Sequence, residues 1–160
     1  MTIKVGDKLP SIDLQYKTAD GVQTINTDGL FAGKKVVLFA LPGAFTPTCS
    51  AAHLPGYVVN SDEFFKKGID SIICLSVNDA HVMDAWGKDN NVDDRVKMIA
   101  DGSAHFTRAV GMVDDRDATG MGIRSQRYAM LVNDGVVELL NLEAPKEFKV
   151  SDAETMLNSL

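Results

Sequence analysis

Along this chain, runs of unbroken apolar residues alternate with mixed stretches. Residues 36–41 (Val-Val-Leu-Phe-Ala-Leu) are wholly apolar and 69–77 are built around the apolar run Ile72-Ile-Cys-Leu75, the pattern of strands covered on both faces. Residues 12–15 and 22–25 are shorter and flank the turn signal Asp20-Gly21, which predicts an N-terminal hairpin. After the first apolar run comes a loop, Pro42-Gly-Ala-Phe-Thr-Pro-Thr-Cys49, that opens a helix predicted to run to about Lys66. After the second run, Asn78-Asp79 supplies a cap for a helix reaching about Lys88. Residues 96–100 read as a further strand, and 103–110 as a short helix closed by Gly111. Residues 128–132 and 136–142 flank Asn133-Asp134-Gly135, a second hairpin signal, and Ser151 with Glu154 three positions on reads as the capping box of a last helix.

Strand, helix, strand, helix implies a parallel core, and the terminal hairpin adds antiparallel strands. The expected fold class is α/β, a thioredoxin-like fold with an N-terminal β-hairpin extension and a mixed central sheet flanked by helices. A chain of 160 residues, 45% hydrophobic, with no repeat or linker, is expected to form one domain over residues 1–160.

A net charge of −6 disfavours nucleic acid and anionic membrane surfaces as partners, because both would repel the protein. No apolar run reaches the ~18 residues of a membrane span, and Met-Thr-Ile-Lys-Val-Gly-Asp lacks the apolar stretch of a signal peptide, so a cytoplasmic protein is expected. Two cysteines cannot build a disulfide framework. Histidines at 53, 81 and 105 have no metal-ligand spacing, so neither metal nor cofactor is expected.

The chemistry then centres on Cys49, placed where a strand has ended and a helix begins. Unpaired amides and the helix dipole favour thiolate there, which is the nucleophilic form. A nucleophilic thiolate also requires polar groups directed at the atom it attacks and at the group it displaces. Thr46, three residues earlier, can bring a hydroxyl donor, while Pro42 and Pro47 stiffen the loop and shield the sulfur. Arg127, entering the apolar stretch Tyr128-Ala-Met-Leu-Val, is the candidate guanidinium, and Arg124 competes with it on equal chemical grounds. His53 could share a helix face with Cys49 as a Cys/His pair, but the nearby Pro55 disrupts that helix. Cys74, inside Ile72-Ile-Cys-Leu-Ser-Val77, reads as a packed core thiol. Gly120-Met-Gly122 has neither the third glycine nor the strand-to-helix junction of a phosphate-binding turn and reads as a loop.

Pro42-Gly-Ala-Phe-Thr-Pro-Thr-Cys49 resembles the peroxidatic motif of type II, or Prx5-like, peroxiredoxins. The resemblance continues through His53-Leu-Pro-Gly-Tyr57, Ser76-Val-Asn-Asp79, Ala85-Trp-Gly-Lys88 and Arg124-Ser-Gln-Arg-Tyr-Ala129, and spans nearly the whole chain. It implies that Pro42, Thr46, Cys49 and Arg127 form the active-site quartet. It also implies reduction of hydrogen peroxide and organic hydroperoxides through a Cys49 sulfenic acid, in a homodimer. Residues 147–151 hold no cysteine where some relatives carry a resolving one. Cys74 matches a position in plant and bacterial relatives linked to glutaredoxin or glutathione, so the expected reductant is an external thiol, glutathione with glutaredoxin or else thioredoxin. The competing reading is a redox sensor or holdase oxidised at Cys49 without turnover. A Cys/His hydrolase lacks an orienting group, and a disulfide reductase lacks Cys-x-x-Cys.

Overall fold

The computed structural model describes residues 1–160. Its centre is a seven-stranded mixed sheet whose strands, β1 (Asp13–Thr18), β2 (Gly21–Asn26), β3 (Lys35–Leu41), β4 (Ser71–Ser76), β5 (Lys97–Ala100), β8 (Tyr128–Asn133) and β9 (Val136–Leu142), lie in the order β2-β1-β5-β4-β3-β8-β9. Strands β3, β4 and β5 run parallel, and β8 and β9 add antiparallel strands beside β3. The expected thioredoxin-like architecture is what forms.

The two-residue period of a strand explains why the apolar runs are unbroken. Val37, Phe39 and Leu41 of β3 enter one core, while Val36, Leu38 and Ala40 enter the other. On β4, Ile72 and Cys74 join the first, and Ile73 and Leu75 the second. Each large side chain buried in this way contributes about 1.5–3 kcal/mol, so both sheet faces must be covered. The first is covered by α2 (Leu54–Val59), α3 (Ser61–Lys66), α4 (Ala80–Asp89) and α6 (Ala153–Asn158). Leu30 and Phe31 of α1 (Thr27–Phe31) and Phe106 of α5 (His105–Ala109) pack on the second.

Both hairpins form. β1 and β2 are longer than the apolar signal suggested and join the main sheet through Gln15 opposite Ala100 of β5. Between β8 and β9, Asp134 and Gly135 both have positive φ (49° and 80°), the conformation that makes Asp-Gly a two-residue hairpin turn.

Three readings need correction, and one helix escaped the sequence pattern. The helix expected from Cys49 to Lys66 is three pieces. Residues Cys49–His53 form a π-helical turn in which the Leu54 N–H reaches back five residues to the Cys49 carbonyl. Pro55 has no N–H with which to resume the usual ladder at the next step. A further break falls at Asn60, between α2 and α3. The last helix is capped by Asp152, whose carboxylate accepts from the Thr155 N–H, and not by Ser151, whose hydroxyl donates to Glu143. Gly120-Met-Gly122 is also more than a loop. Gly120 (φ 79°) helps turn the chain between β6 (Val113–Arg116) and β7 (Gly122–Ser125), a separate two-stranded ribbon whose polar residues hid it from the apolar pattern. Finally, α1 carries only Leu30 and Phe31 as apolar residues, too few for a helical period to show.

Candidate active site

The loop of residues 42–48 leaves the C-terminal end of β3 and is held from two directions and by a bond of its own. Asn78, just past β4, accepts the Ala44 N–H at 3.0 Å and the Ser76 hydroxyl at 2.6 Å through the same Oδ1. Arg124, on β7, directs Nη1 to the carbonyls of Pro42 and Val77, both at 3.4 Å. That guanidinium passes close to Gly43: a Cβ there would sit 2.8 Å from Nη1 and would displace the end of the Arg124 side chain. Within the loop, the Thr46 hydroxyl donates to the Gly43 carbonyl at 2.7 Å. Phe45 takes a left-handed backbone (φ 63°) and leaves 54% of its surface exposed.

Cys49 follows, with no exposed surface. Its Sγ lies 3.1 Å from Nη2 of Arg127, which arrives from the entrance to β8, 78 residues away. The same guanidinium donates through Nη1 to Nδ1 of His53 at 2.7 Å. His53 is fully buried, with Nε2 facing the Ser151 carbonyl at 3.1 Å, so the proton sits on Nε2 and Nδ1 is the acceptor. Burial first, and the Arg127 charge second, pull its pKa down to about 3, against the pull of the Ser151 carbonyl. The ring is therefore neutral. Phe39 and Phe148 pack against it at centroid distances of 4.9 Å each, and the Arg127 guanidinium carbon lies 5.6 Å from the Phe148 ring centre.

Of the residues picked out from sequence, Pro42, Thr46 and Cys49 thus share one loop, and Arg127 is the arginine brought to the sulfur. Arg124 braces the loop instead. His53 bonds to Arg127 and Ser151, so a Cys/His pair is not what forms. Thr46 differs from expectation too. Its proton is engaged by Gly43, which leaves its oxygen free to accept rather than donate. Pro47 is exposed, and the residues that cover the sulfur come from the core. Cys74 is a free thiol with no exposed surface, and burial first, then the nearby Cys49, raise its pKa well above the ordinary range.

The sequence pattern pointed to no active-site role for Asn78, Ser151, Glu143 or Phe148, and marked Asn78 and Ser151 only as helix caps. Only Asn78 carried a further signal, as part of Ser76-Val-Asn-Asp79. No helix is long and apolar enough to cross a membrane.

Comparison with known proteins agrees with this geometry. The Redoxin family profile matches residues 4–157. Peroxiredoxin-2E, chloroplastic, of Arabidopsis thaliana is 52% identical, over 99% of this chain and 70% of its own. The hybrid peroxiredoxin hyPrx5 of Haemophilus influenzae is 44% identical, over 100% of this chain and 67% of its own. Among solved structures, reduced Prx3 of Vibrio vulnificus in complex with hydrogen peroxide superposes with a TM-score of 0.95 at 53% identity, covering 99% of both chains. With a buried cysteine under an arginine at the end of a thioredoxin-like strand, and relatives of this identity over nearly its full length, the chain belongs to the Redoxin family as a type II peroxiredoxin, a thiol peroxidase.

Proposed function

We propose that Cys49 is the sulfur that reduces the peroxide, with Arg127, Thr46 and Pro42 shaping its site, and that residues 1–160 act as one peroxidase domain. The contact of 3.1 Å between Arg127 Nη2 and Cys49 Sγ carries this reading, because a fixed positive charge beside the sulfur stabilises the negative charge that moves from sulfur to oxygen during the attack. The thiolate attacks one peroxide oxygen, the O–O bond breaks, and the other oxygen leaves as hydroxide or alkoxide and takes a proton to become water or alcohol. Cys49 is left as a sulfenic acid. Thr46 accepts the O–H of the attacked oxygen, the Arg127 guanidinium stabilises the charge on both oxygens, and the buried Pro42 closes the wall beside them. That a relative of 53% identity is described in complex with hydrogen peroxide supports the substrate class.

Resolution falls to an external thiol, glutathione with glutaredoxin or else thioredoxin. One thiol condenses with the sulfenic acid, forming a mixed disulfide and water, and a second thiol displaces Cys49 and leaves as the other half of a disulfide. Two features support this. The only other cysteine is Cys74, buried and held as thiol, and residues 144–160 contain none. Steady-state peroxide consumption supplied in turn with glutathione plus glutaredoxin, and with thioredoxin plus its reductase, tests the assignment. A single equivalent of peroxide consumed with every donor would instead leave the sensor or holdase reading.

The resemblance to type II peroxiredoxins supports pairing with a second copy of the chain as a homodimer. Sedimentation showing only monomer at high concentration would remove that assignment.

A further inference from the structure

A long arginine side chain at a strand entrance has many rotamers, and nothing in β8 itself fixes the Arg127 guanidinium beside Cys49. The fixing comes from the C-terminal end of the chain and begins at Glu143. This carboxylate is buried, with 7% of its surface exposed. It forms no salt bridge with any lysine or arginine. Its oxygens accept instead from the N–H of Lys149 (2.9 Å to each), the N–H of Val150 (2.9 Å), the N–H of Ser151 (2.8 Å) and the Ser151 hydroxyl (2.7 Å). Burial would raise its pKa, but the Lys149 N–H, the Ser151 hydroxyl and the remaining amides bring the net shift below the ordinary value, so it is ionised in the fold.

Wrapping residues 149–151 around the carboxylate has a consequence on their other side. The Ser151 carbonyl is presented to His53 Nε2 at 3.1 Å and to the Tyr57 hydroxyl at 2.7 Å. With its proton committed there, His53 offers Nδ1 as a bare acceptor to Arg127 Nη1 at 2.7 Å. Phe148, in the same segment, packs on the His53 ring and beside the guanidinium. Glu143 also donates its own N–H to the Arg127 carbonyl at 3.0 Å. The contacts form a closed circuit: Arg127 backbone, Glu143, Ser151, His53, Arg127 guanidinium.

We propose that Glu143 is a positioning residue for the peroxide step, acting through Ser151 and His53 to hold the Arg127 guanidinium against Cys49. This rests on the reading of Cys49 and Arg127 given above. The arrangement has a physical advantage over a carboxylate set directly against the arginine. An ion pair would offset the positive charge that the thiolate and the transition state need. Here the negative charge is satisfied by amides and a hydroxyl, and the group touching Arg127 is a neutral ring that orients the guanidinium without compensating it.

The test is a double-mutant cycle on a single turnover, with loss of the alkylatable Cys49 thiol after mixing with hydrogen peroxide as the readout, so no reductant is involved. Glu143→Gln keeps the shape but cannot accept all five bonds. It is expected to slow oxidation about tenfold in the wild-type background, as loss of a positioning contact does, and to add nothing in an Arg127→Ala background. Equal slowing in both backgrounds overturns the proposal, because the effect would not pass through Arg127. No slowing in the wild-type background overturns it as well. An Arg127→Ala protein as fast as wild type would sink the Arg127 assignment and this inference together, an outcome distinct from the other two. If Glu143→Gln melts below the assay temperature, Ser151→Ala, which deletes one hydroxyl contact and keeps the carbonyl, goes through the same cycle and is read by the same criteria.

Discussion

The indole N–H of Trp86 donates to the hydroxyl of Ser50 at 3.0 Å, tying α4 to the π-helical turn one residue after Cys49. Trp86 is the single tryptophan of the chain and is fully buried. Cys49 has no exposed surface, so an external thiol can meet its sulfenic acid only if residues 49–53 open. Opening must break the bond to Trp86. Its emission is therefore expected to change when the mixed disulfide forms, and Ser50→Ala is expected to speed the thiol step about fivefold, the equivalent of the ~1 kcal/mol of one neutral hydrogen bond, while leaving the peroxide step unchanged. Stopped-flow fluorescence against quenched mass measurement checks this, and an unchanged thiol step in Ser50→Ala would show that the bond is no latch.

The two arginines, three residues apart, should separate by rate. Cys49→Ser is expected to abolish turnover, and Arg127→Ala to slow peroxide reduction about 10²–10³-fold, the usual cost of a lost oxyanion-type donor. Arg124→Ala, which removes two long contacts, to the loop carbonyl of Pro42 and to the carbonyl of Val77 just past β4, is expected to cost less than Arg127→Ala. Single-turnover rates for the three variants decide it. The reverse order of the arginines would transfer the assignment to Arg124.

Cys74→Ser is expected to keep most of its turnover with glutathione and glutaredoxin, and no Cys49–Cys74 disulfide should accumulate in folded protein after peroxide. The reason is burial: Cys74 sits mid-strand in β4, opposite Phe39 and Met98, with its thiol held protonated. Alkylation and mass measurement of peroxide-treated protein, beside turnover of the variant, provide the check. A dominant internal disulfide would contradict the external-thiol route.

Acid is expected to destabilise the fold earlier than carboxylate titration alone would. His53 is neutral in the fold, with its pKa down at about 3, whereas in the unfolded chain it takes a proton below about 6.5. Stability is thus full above pH 6.5 and falls as pH drops toward 3, by roughly 2 kcal/mol between pH 6.5 and 5. Glu143, shifted downward, adds loss in the same direction below the ordinary carboxylate range. Denaturant midpoints at pH 7.5 and 5, for wild type and His53→Gln, measure the effect. An equal drop in both proteins would exclude His53 as its source.

What the sequence determined by itself was whatever depends on local pattern. Period two in Val36–Leu41 assigns alternate side chains to opposite faces, Asp134-Gly135 supplies the two positive φ angles of a tight turn, and Asp79 caps the helix it precedes. Pro42, Thr46 and Cys49 could be named together because one short loop carries them all. Tertiary structure decided which arginine meets the sulfur. Arg124 ends up on the two-stranded ribbon and Arg127 at the entrance to the main sheet, a division that depends on where β7 stops and β8 begins and that three residues of sequence do not display. It also decided that His53 orients Arg127 instead of activating Cys49, and that Asp152 caps the last helix because the Ser151 hydroxyl is committed to Glu143. Periodicity fixes the face on which a side chain emerges. Its hydrogen-bond partner 74, 78 or 98 residues away is fixed only when strand ends, loop and C-terminal segment pack together.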